Sequence, residues 1–216
     1  MKRIVLIGPP GAGKGTQAGI ISEMNQIPAI STGQILRDEV RLGSELGQSI
    51  KSIIDAGSLV PDELMLELIS KRIAEKDCEN GYILDGYPRT PNQAEALIRL
   101  GIQPQIVLYL KIADELIIER LSGRRVHESS GRTYHVLYNP PKVEEKDDIT
   151  GDLLVQRADD KPENIKTRLF NYHASTQPVI NFYQQQSLEN KVRFVELDAS
   201  LPIEDVTECL KNVFTH

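Results

Sequence analysis

The sequence predicts an α/β fold in which helices cover both faces of a parallel β-sheet. Short apolar segments alternate with helical segments along most of the chain, and the first of them leads directly into a glycine-rich loop and a helix. Strands that alternate with helices form parallel sheets, because each crossover needs the length that a helix supplies. A turn-rich stretch with few large aliphatic residues, 123–160, predicts a small excursion built from short hairpins.

The apolar segments locate the strands, and the segments between them locate the helices. Runs rich in Ile, Val and Leu predict strands at residues 3–7, 28–30, 82–85, 106–110 and 192–197. Helices are predicted at residues 17–25, 33–42, 44–56, 90–100, 114–122 and 200–214, and others begin at residue 61 and near residue 162.

Residues with special backbone preferences set the limits of these helices. The pair at 31–32 is predicted to cap one helix and Asp114 another, since short polar side chains accept from free N–H groups. Gly43 and Gly57 are predicted helix stops. Pro178 predicts a kink or break, because proline lacks the backbone donor.

The composition is that of one globular domain: 216 residues, 40% hydrophobic and 26% charged. A net charge of −6 gives no basic field for nucleic acid or a membrane surface, so neither is an expected partner. Cys78 and Cys209 are far apart and are predicted to be buried or half-buried thiols. No apolar run approaches the ~20 residues of a membrane span, and Met1 leads straight into the first strand, so we expect a cytoplasmic protein, and nothing demands more than a monomer.

The glycine-rich loop at residues 8–16, Gly-Pro-Pro-Gly-Ala-Gly-Lys-Gly-Thr, predicts a phosphate-binding loop (P-loop). Glycines let the backbone wrap phosphates with its N–H groups, and the helix start adds partial positive charge. Lys14 would reach the outer phosphates as a point charge. The pattern departs from the usual one because Gly15 stands between the lysine and the hydroxyl of Thr16.

Acidic and basic residues beyond this loop extend the predicted site. Asp85 ends an apolar strand and precedes Gly86, the position expected for a carboxylate that orients Mg²⁺ or its waters. Guanidinium groups suit the neutralisation of phosphate oxygens in transfer. The candidates are Arg37, Arg89, Arg120, Arg124, Arg157 and Arg168. Arg120 and Arg124 would share one helix face if their helix continued that far.

Taken together, these motifs resemble those of the adenylate kinases, of the bacterial type with a long lid, over essentially the whole chain. The segments that carry the resemblance are residues 8–16, Ser31-Thr32-Gly33 with Arg37, Asp85-Gly86-Tyr87-Pro88-Arg89-Thr90, Gly123-Arg124-Arg125-Val126, Tyr134-His135 with Asn139-Pro140-Pro141, and Arg157-Ala158-Asp159-Asp160. The family also has glycine between the lysine and the threonine of its loop.

The resemblance implies a P-loop core at residues 1–30, 61–122 and 161–216, a helical AMP-binding lobe at 31–60, and a β-rich lid at 123–160. It also implies three sets of site residues. The ATP site would contain Gly11, Ala12, Gly13, Lys14, Gly15, Thr16, Arg120, Arg124, Thr133, Tyr134 and Leu201. The AMP site would contain Thr32, Arg37, Ser58, Leu59, Val60, Gly86, Tyr87, Pro88, Arg89, Gln93, Arg157 and Arg168, with Gln93 choosing the base. The catalytic set would be Lys14, Asp85, Arg89, Arg124, Arg157 and Arg168.

The chain departs from the family's pattern at two places. Some members carry four lid cysteines that bind structural zinc, and the matching positions here are His127, Ser130, Asp147 and Thr150. Two hydroxyl groups are poor zinc ligands, so a hydrogen-bonded polar cluster without metal is expected. The family often has a basic residue where Leu201 stands; little changes if that contact is made by the backbone carbonyl.

The expected reaction is reversible phosphoryl transfer from MgATP to AMP, which gives two ADP and maintains the balance of adenine nucleotides. A kinase for another nucleoside monophosphate, UMP or CMP, is the nearest alternative, and Thr32 and Gln93 argue against it. A nucleotide-dependent switch protein would carry a guanine-reading Asn-Lys-x-Asp segment, which does not occur. A binding protein without catalysis is disfavoured by the arginine set.

Overall fold

A central five-stranded parallel sheet organises the molecule, whose computed structural model describes residues 2–56 and 58–215. Its strand order is β2-β3-β1-β4-β7, and β5 and β6 form a separate antiparallel pair. The strands are β1 Lys2–Ile7, β2 Ala29–Ser31, β3 Gly81–Asp85, β4 Ile106–Lys111, β5 Arg124–Val126, β6 Thr133–His135 and β7 Arg193–Asp198.

Nine α-helices lie within the part of the chain that the structure describes. Their bounds are α1 Lys14–Asn25, α2 Thr32–Arg41, α3 Glu45–Asp55, α4 Asp62–Ile73, α5 Pro91–Arg99, α6 Asp114–Ser122, α7 Pro162–Asn171, α8 Gln177–Leu188 and α9 Ile203–Thr215. None of these described helices combines the length and the apolar character needed to cross a bilayer.

The sheet buries both of its faces, as the sequence predicted. Successive side chains of a strand point to opposite faces. Val5 of β1 therefore packs in the cluster that contains α5 and α8, whereas Leu6 packs in the cluster that contains α1 and α9. Burial of apolar surface on both faces is the main favourable contribution to the stability of such a core.

The register of the sheet brings the carboxyl ends of its strands to one edge. Leu6 of β1 lies opposite Asp85 of β3 and Leu108 of β4, and Ser31 of β2 lies opposite Asp85. Ligands of open parallel sheets bind beyond this edge. The P-loop, the start of α2 and the loop after β3 all emerge there.

Several helix limits differ from those predicted. Ser31 is the N-cap of α2, and its hydroxyl accepts from the Gln34 N–H at 3.4 Å. Asp114 is not a cap: Ala113 holds that position and Asp114 is the first helical residue, where its charge still favours the helix dipole. Gly123 follows the end of α6, so Arg124 lies on β5 and does not share a helix face with Arg120.

The regular α-helix is interrupted just before the proline at 178, as predicted. A π-helical turn at Tyr172–Thr176 precedes it, and Pro178 lies in the first turn of α8, where its missing donor is tolerated. The last helix begins at Ile203 rather than at residue 200, directly after Pro202. The stop expected at Gly57 lies outside the described residues.

The two cysteines lie in different environments. Cys78 is buried, as expected, but Cys209 is exposed on α9. The prediction of a buried or half-buried thiol is therefore wrong for Cys209, because α9 turns it away from the sheet while Val206 and Leu210 pack inward.

Candidate active site

A large cleft beyond the carboxyl ends of the strands collects the predicted site residues. Its volume is about 940 Å³, which is the size of a pocket for a large ligand. The residues predicted for ATP, for AMP and for catalysis all line it. Sequence reasoning did not select Gln34, Pro202 or Ile203, which also line it and have no motif of their own.

The P-loop joins β1 to α1 with a backbone that its glycines allow. Gly11 and Gly13 have φ angles of 80° and 87°, the left-handed region that favours glycine. Lys14 begins α1, and its Nζ donates to the carbonyl oxygens of Gly8 at 2.7 Å and Pro9 at 2.8 Å. Burial lowers the pKa of Lys14 to about 8. A phosphate group would relieve this desolvation by giving the ammonium an anionic partner.

Asp85 lies at the end of β3, facing the start of α1. Its Oδ2 is 3.7 Å from the point that a Cβ on Gly15 would occupy, which places the carboxylate directly beside the first turn of α1. Burial raises the pKa of Asp85, and the charges of Lys14 and Arg89 oppose that shift. Mg²⁺ is usually held by one or two carboxylates together with substrate phosphates and water. Asp85 and the Thr16 hydroxyl therefore fit a magnesium ion that arrives with a nucleotide.

Two arginines in the cleft share one buried carboxylate. Arg124 donates from Nε and Nη2 to the two oxygens of Asp160 at 2.7 and 2.6 Å, and Arg168 donates to Asp160 Oδ1 at 2.9 Å. Arg168 also pairs with Asp159 at 3.1 Å. The Arg-Ala-Asp-Asp segment was visible in the sequence, but nothing local in it identified Asp160 as the acceptor for two arginines.

The cleft holds more cations than anions, although the whole chain is acidic. Burial lowers the pKa values of Arg37, Arg89 and Arg168. It lowers the pKa of Arg157 to about 9, with repulsion by Arg124 and Arg37 contributing further. Lowered pKa values of clustered cations mark a place where a polyanion would be stabilised. The local arginines, not the net charge, therefore create the anion site.

The loop after β3 positions two residues predicted for the AMP site, Thr32 and Arg89. Gly86 has a φ of 82°, and a Cβ there would lie 2.8 Å from the Thr32 hydroxyl oxygen, so the position requires glycine. Thr32 donates to the Gly86 carbonyl at 3.1 Å, and Arg89 Nε donates to the same oxygen at 2.8 Å. This oxygen fixes Thr32 and the Arg89 guanidinium together at the sheet edge.

The opposite end of the cleft contains the predicted ATP contacts. Arg120 Nη1 donates to the Ala199 carbonyl at 2.7 Å, which places its guanidinium beside Leu201 in the cleft lining. Tyr134 also lines the cleft, but its hydroxyl donates to Asp147 Oδ1 at 2.9 Å and accepts from the Asp148 N–H at 3.0 Å. The ring of Tyr134, rather than its hydroxyl, is thus the part available to a ligand.

Hydrogen bonds join the four positions of the predicted lid that match the cysteines of some adenylate kinases by resemblance. His127 Nδ1 lies 2.7 Å from the Ser130 hydroxyl, and the Thr150 hydroxyl donates to Asp147 Oδ2 at 3.0 Å. Arg132, which the sequence did not single out, donates to both oxygens of Asp147 at 2.8 and 2.6 Å. This bidentate pair holds the pKa of Asp147 far below its usual range. Three or more His, Cys, Asp or Glu side chains do not meet in a metal-binding arrangement anywhere in 2–56 and 58–215.

Phosphoryl transfer needs cations fixed around the moving group and little covalent chemistry from the protein. The parallel sheet, the glycine loop with Lys14 and the converging arginines define a P-loop phosphotransferase. The family model described as adenylate kinase matches residues 6–188. The chain therefore belongs to the adenylate kinase family, and it is an enzyme that transfers a phosphoryl group between ATP and AMP. The match confirms the family, the fold class and the reaction that the sequence predicted.

Proposed function

We propose that the protein catalyses MgATP + AMP ⇌ 2 ADP through the residues that meet in this cleft. ATP lies with its phosphates on the P-loop and its base between Arg120 and Leu201, under the lid residues Thr133 and Tyr134. AMP lies against Thr32, Arg37, the backbone at 58–60, Tyr87 and Pro88, with its base at Gln93. Both nucleotide sites supply binding energy, and the phosphoryl group moves from the nucleotide in one site to the nucleotide in the other.

One observation supports this proposal: the proposed catalytic residues line the same cleft as the residues proposed for ATP and for AMP. They are Lys14, Asp85, Arg89, Arg124, Arg157 and Arg168. An oxygen of the AMP phosphate attacks the γ-phosphorus of ATP, and the bond from that phosphorus to the β-phosphate oxygen breaks. The acceptor needs no catalytic base, because the second pKa of a phosphate is about 6. The arginines and Lys14 neutralise charge on the oxygens of the transferred group.

Magnesium arriving with ATP would supply positive charge that offsets the charge of the outer phosphates. Within the protein, Asp85 and the Thr16 hydroxyl are the groups that would hold it. The positive charges of Lys14 and Arg89 favour the ionised form of the Asp85 carboxylate, and they oppose the increase in its pKa that burial causes. Asp85 thus acts by orienting the metal and its waters.

The organisation that we propose follows the family resemblance. Residues 1–30, 61–122 and 161–216 form the core, residues 31–60 the AMP-binding lobe, and residues 123–160 a long lid of the bacterial type. The protein acts as a cytoplasmic monomer that balances adenine nucleotides. The separate β5–β6 pair and the antiparallel bridge from Val126 to Val155 support the lid boundaries.

Coupled assays of ADP formation from ATP with AMP, UMP, CMP or GMP test the proposal. We expect AMP to be the preferred acceptor and Arg89→Met to lower turnover by about 10²-fold or more. Arg99→Met is the matched control, because Arg99 is an exposed arginine of α5 that pairs at the surface with Glu95. UMP or CMP preferred over AMP would assign the alternative function, and equal loss in both variants would remove Arg89 from the site.

A further inference from the structure

The amide of Gln93 is held at both ends by the protein. Its Oε1 accepts from the Arg89 backbone N–H at 2.7 Å, and its Nε2 donates to Asp62 Oδ1 at 2.6 Å. Gln93 is buried, and it also lines the cleft. An amide has two acceptor lone pairs and two donor hydrogens, so one of each is left for a ligand.

A closed ring of hydrogen bonds fixes Asp62 in turn. The Thr90 hydroxyl donates to Asp62 Oδ2 at 3.1 Å and accepts from the Gln93 backbone N–H at 3.1 Å as the N-cap of α5. The ring joins the first residue of α4 to the first turn of α5. Both oxygens of the Asp62 carboxylate therefore have assigned partners, and the carboxylate cannot turn away from Gln93 without losing one.

These contacts allow only one orientation of the amide. A carboxylate only accepts and a backbone N–H only donates, so the nitrogen of Gln93 must face Asp62 and its oxygen must face Arg89. A flipped amide would place its oxygen against the Asp62 carboxylate and its NH₂ group against another donor. Two partly buried hydrogen bonds of the Gln93 amide would be lost, which costs more than the loss of one exposed contact.

We propose that Asp62 is a positioning residue that fixes this orientation and thereby selects a 6-amino base over a 6-oxo base in the monophosphate site. The inference rests on the proposed function, in which Gln93 reads the base of AMP. Adenine presents an acceptor at N1 and a donor at its amino group, which match the free N–H and the free lone pair of the fixed amide. Hypoxanthine presents the reverse pattern, a donor at N1 and an acceptor at O6, and it is otherwise the same size.

The test compares AMP with inosine monophosphate (IMP) as acceptors for Asp62→Asn. The side chain introduced by this substitution can donate as well as accept, so it removes one of the two contacts that oppose the flipped amide, and the Arg89 N–H alone still opposes it. We expect the wild type to favour AMP over IMP in kcat/KM by about 100-fold or more. In the variant this preference should narrow by roughly tenfold or more, because kcat/KM falls for AMP and rises for IMP.

Glu63→Gln is the matched control: it removes the same charge from the next residue of α4, whose side chain is exposed, and it should leave the preference unchanged. A purely structural role for Asp62 would lower kcat/KM for both acceptors in the same proportion and would overturn the proposal. Thermal unfolding of both variants establishes that the comparison is made on folded protein.

Gln93→Leu separates this inference from the proposed function. If Gln93→Leu abolishes the preference for AMP but Asp62→Asn retains it, Gln93 reads the base and the positioning role of Asp62 is wrong. An unchanged preference in Gln93→Leu would overturn base reading by Gln93, and with it the inference, while ADP formation stands. Absence of ADP formation by the wild type would instead contradict the proposed function itself.

Discussion

The P-loop core and the proposed lid, residues 123–160, are stabilised by different interactions. In the core, β1 and its neighbours bury Ile, Val and Leu side chains on both faces of the sheet. In the lid, Asp147 accepts from Arg132, Tyr134 and Thr150, whereas aliphatic residues such as Ile149, 74% exposed, stay at the surface. The core therefore depends on apolar burial, and the lid depends on directed polar contacts.

From this difference we expect the proposed lid to move more readily than the core. Segments with few buried apolar contacts open at a lower free energy than a packed core does. Arg124 and Arg157 lie where the lid joins the core, beside the bridge between Val126 and Val155. Lid movement would thus carry these two arginines towards or away from the phosphates, while Lys14 and Asp85 stay fixed on core elements.

Replacing residues 125–156 by a short Gly/Ser linker should have the largest effect. Without the lid, water is not excluded and the arginines are not positioned, so AMP phosphorylation should fall by about three orders of magnitude. The P-loop and Lys14 remain, so slow ATP hydrolysis should persist or rise relative to transfer. Steady-state assays of both reactions measure the ratio.

The control for this deletion is a measurement showing that the core of the variant is still folded. Its far-ultraviolet circular dichroism and thermal midpoint should stay close to those of the full chain, because the two buried clusters lie outside the deleted residues. Transfer at the wild-type rate in a folded deletion variant would show that the lid is a passive insertion.

Lys14→Met should have the next largest effect. The lysine is the point charge of the loop, and its loss should lower turnover by about 10²–10³-fold. The fold should survive, since the side chain bonds to loop carbonyls and the buried apolar clusters are formed by other residues. Lys71→Met, an exposed lysine of α4, serves as the control. Near-normal turnover in Lys14→Met would contradict the phosphate role of Lys14.

The same contrast explains what could be predicted from the sequence. The strand, loop and helix of the P-loop are consecutive, so local patterns located Lys14 and its neighbours, and the motif arginines line the cleft as expected. The helix before Arg124 was predicted to end at residue 122, as it does, but no local pattern predicted that Arg124 begins a strand. Contacts between distant residues, such as Asp62 with Gln93, 31 positions apart, leave no local signal. They arise only when α4 and α5 pack together.

Asp147→Asn should have a smaller effect that is confined to the lid. The paired carboxylate has a lowered pKa, so its stabilisation is present above the usual Asp pKa of about 3.9 and is lost only at lower pH. At neutral pH the variant should therefore raise the rate of proteolysis within residues 123–160 by roughly tenfold. The thermal midpoint of the core should change little.

Glu144→Gln provides the control for Asp147→Asn, since it makes the same charge change at an exposed position of the same lid. Limited proteolysis followed by mass spectrometry locates the cuts. Equal cleavage rates in the two variants would mean that the Asp147 pair does not hold the lid together, and unfolding of the core in Asp147→Asn would contradict the separation of the two regions.

Chelation should have the smallest effect of all, because the side chains at positions 127, 130, 147 and 150 already form hydrogen bonds with one another or with neighbouring residues. Purified, untagged protein should contain no stoichiometric zinc, and a strong chelator should leave its thermal midpoint unchanged in the absence of nucleotide. His127 forms hydrogen bonds with Ser130 and Asp152, and Asp147 accepts hydrogen bonds from Arg132 and Thr150. The hydroxyl groups of Ser130 and Thr150 are also poor zinc ligands. Elemental analysis measures the zinc content directly. About one zinc per chain, together with a loss of thermal stability on chelation, would show that a metal rather than hydrogen bonds stabilises the proposed lid.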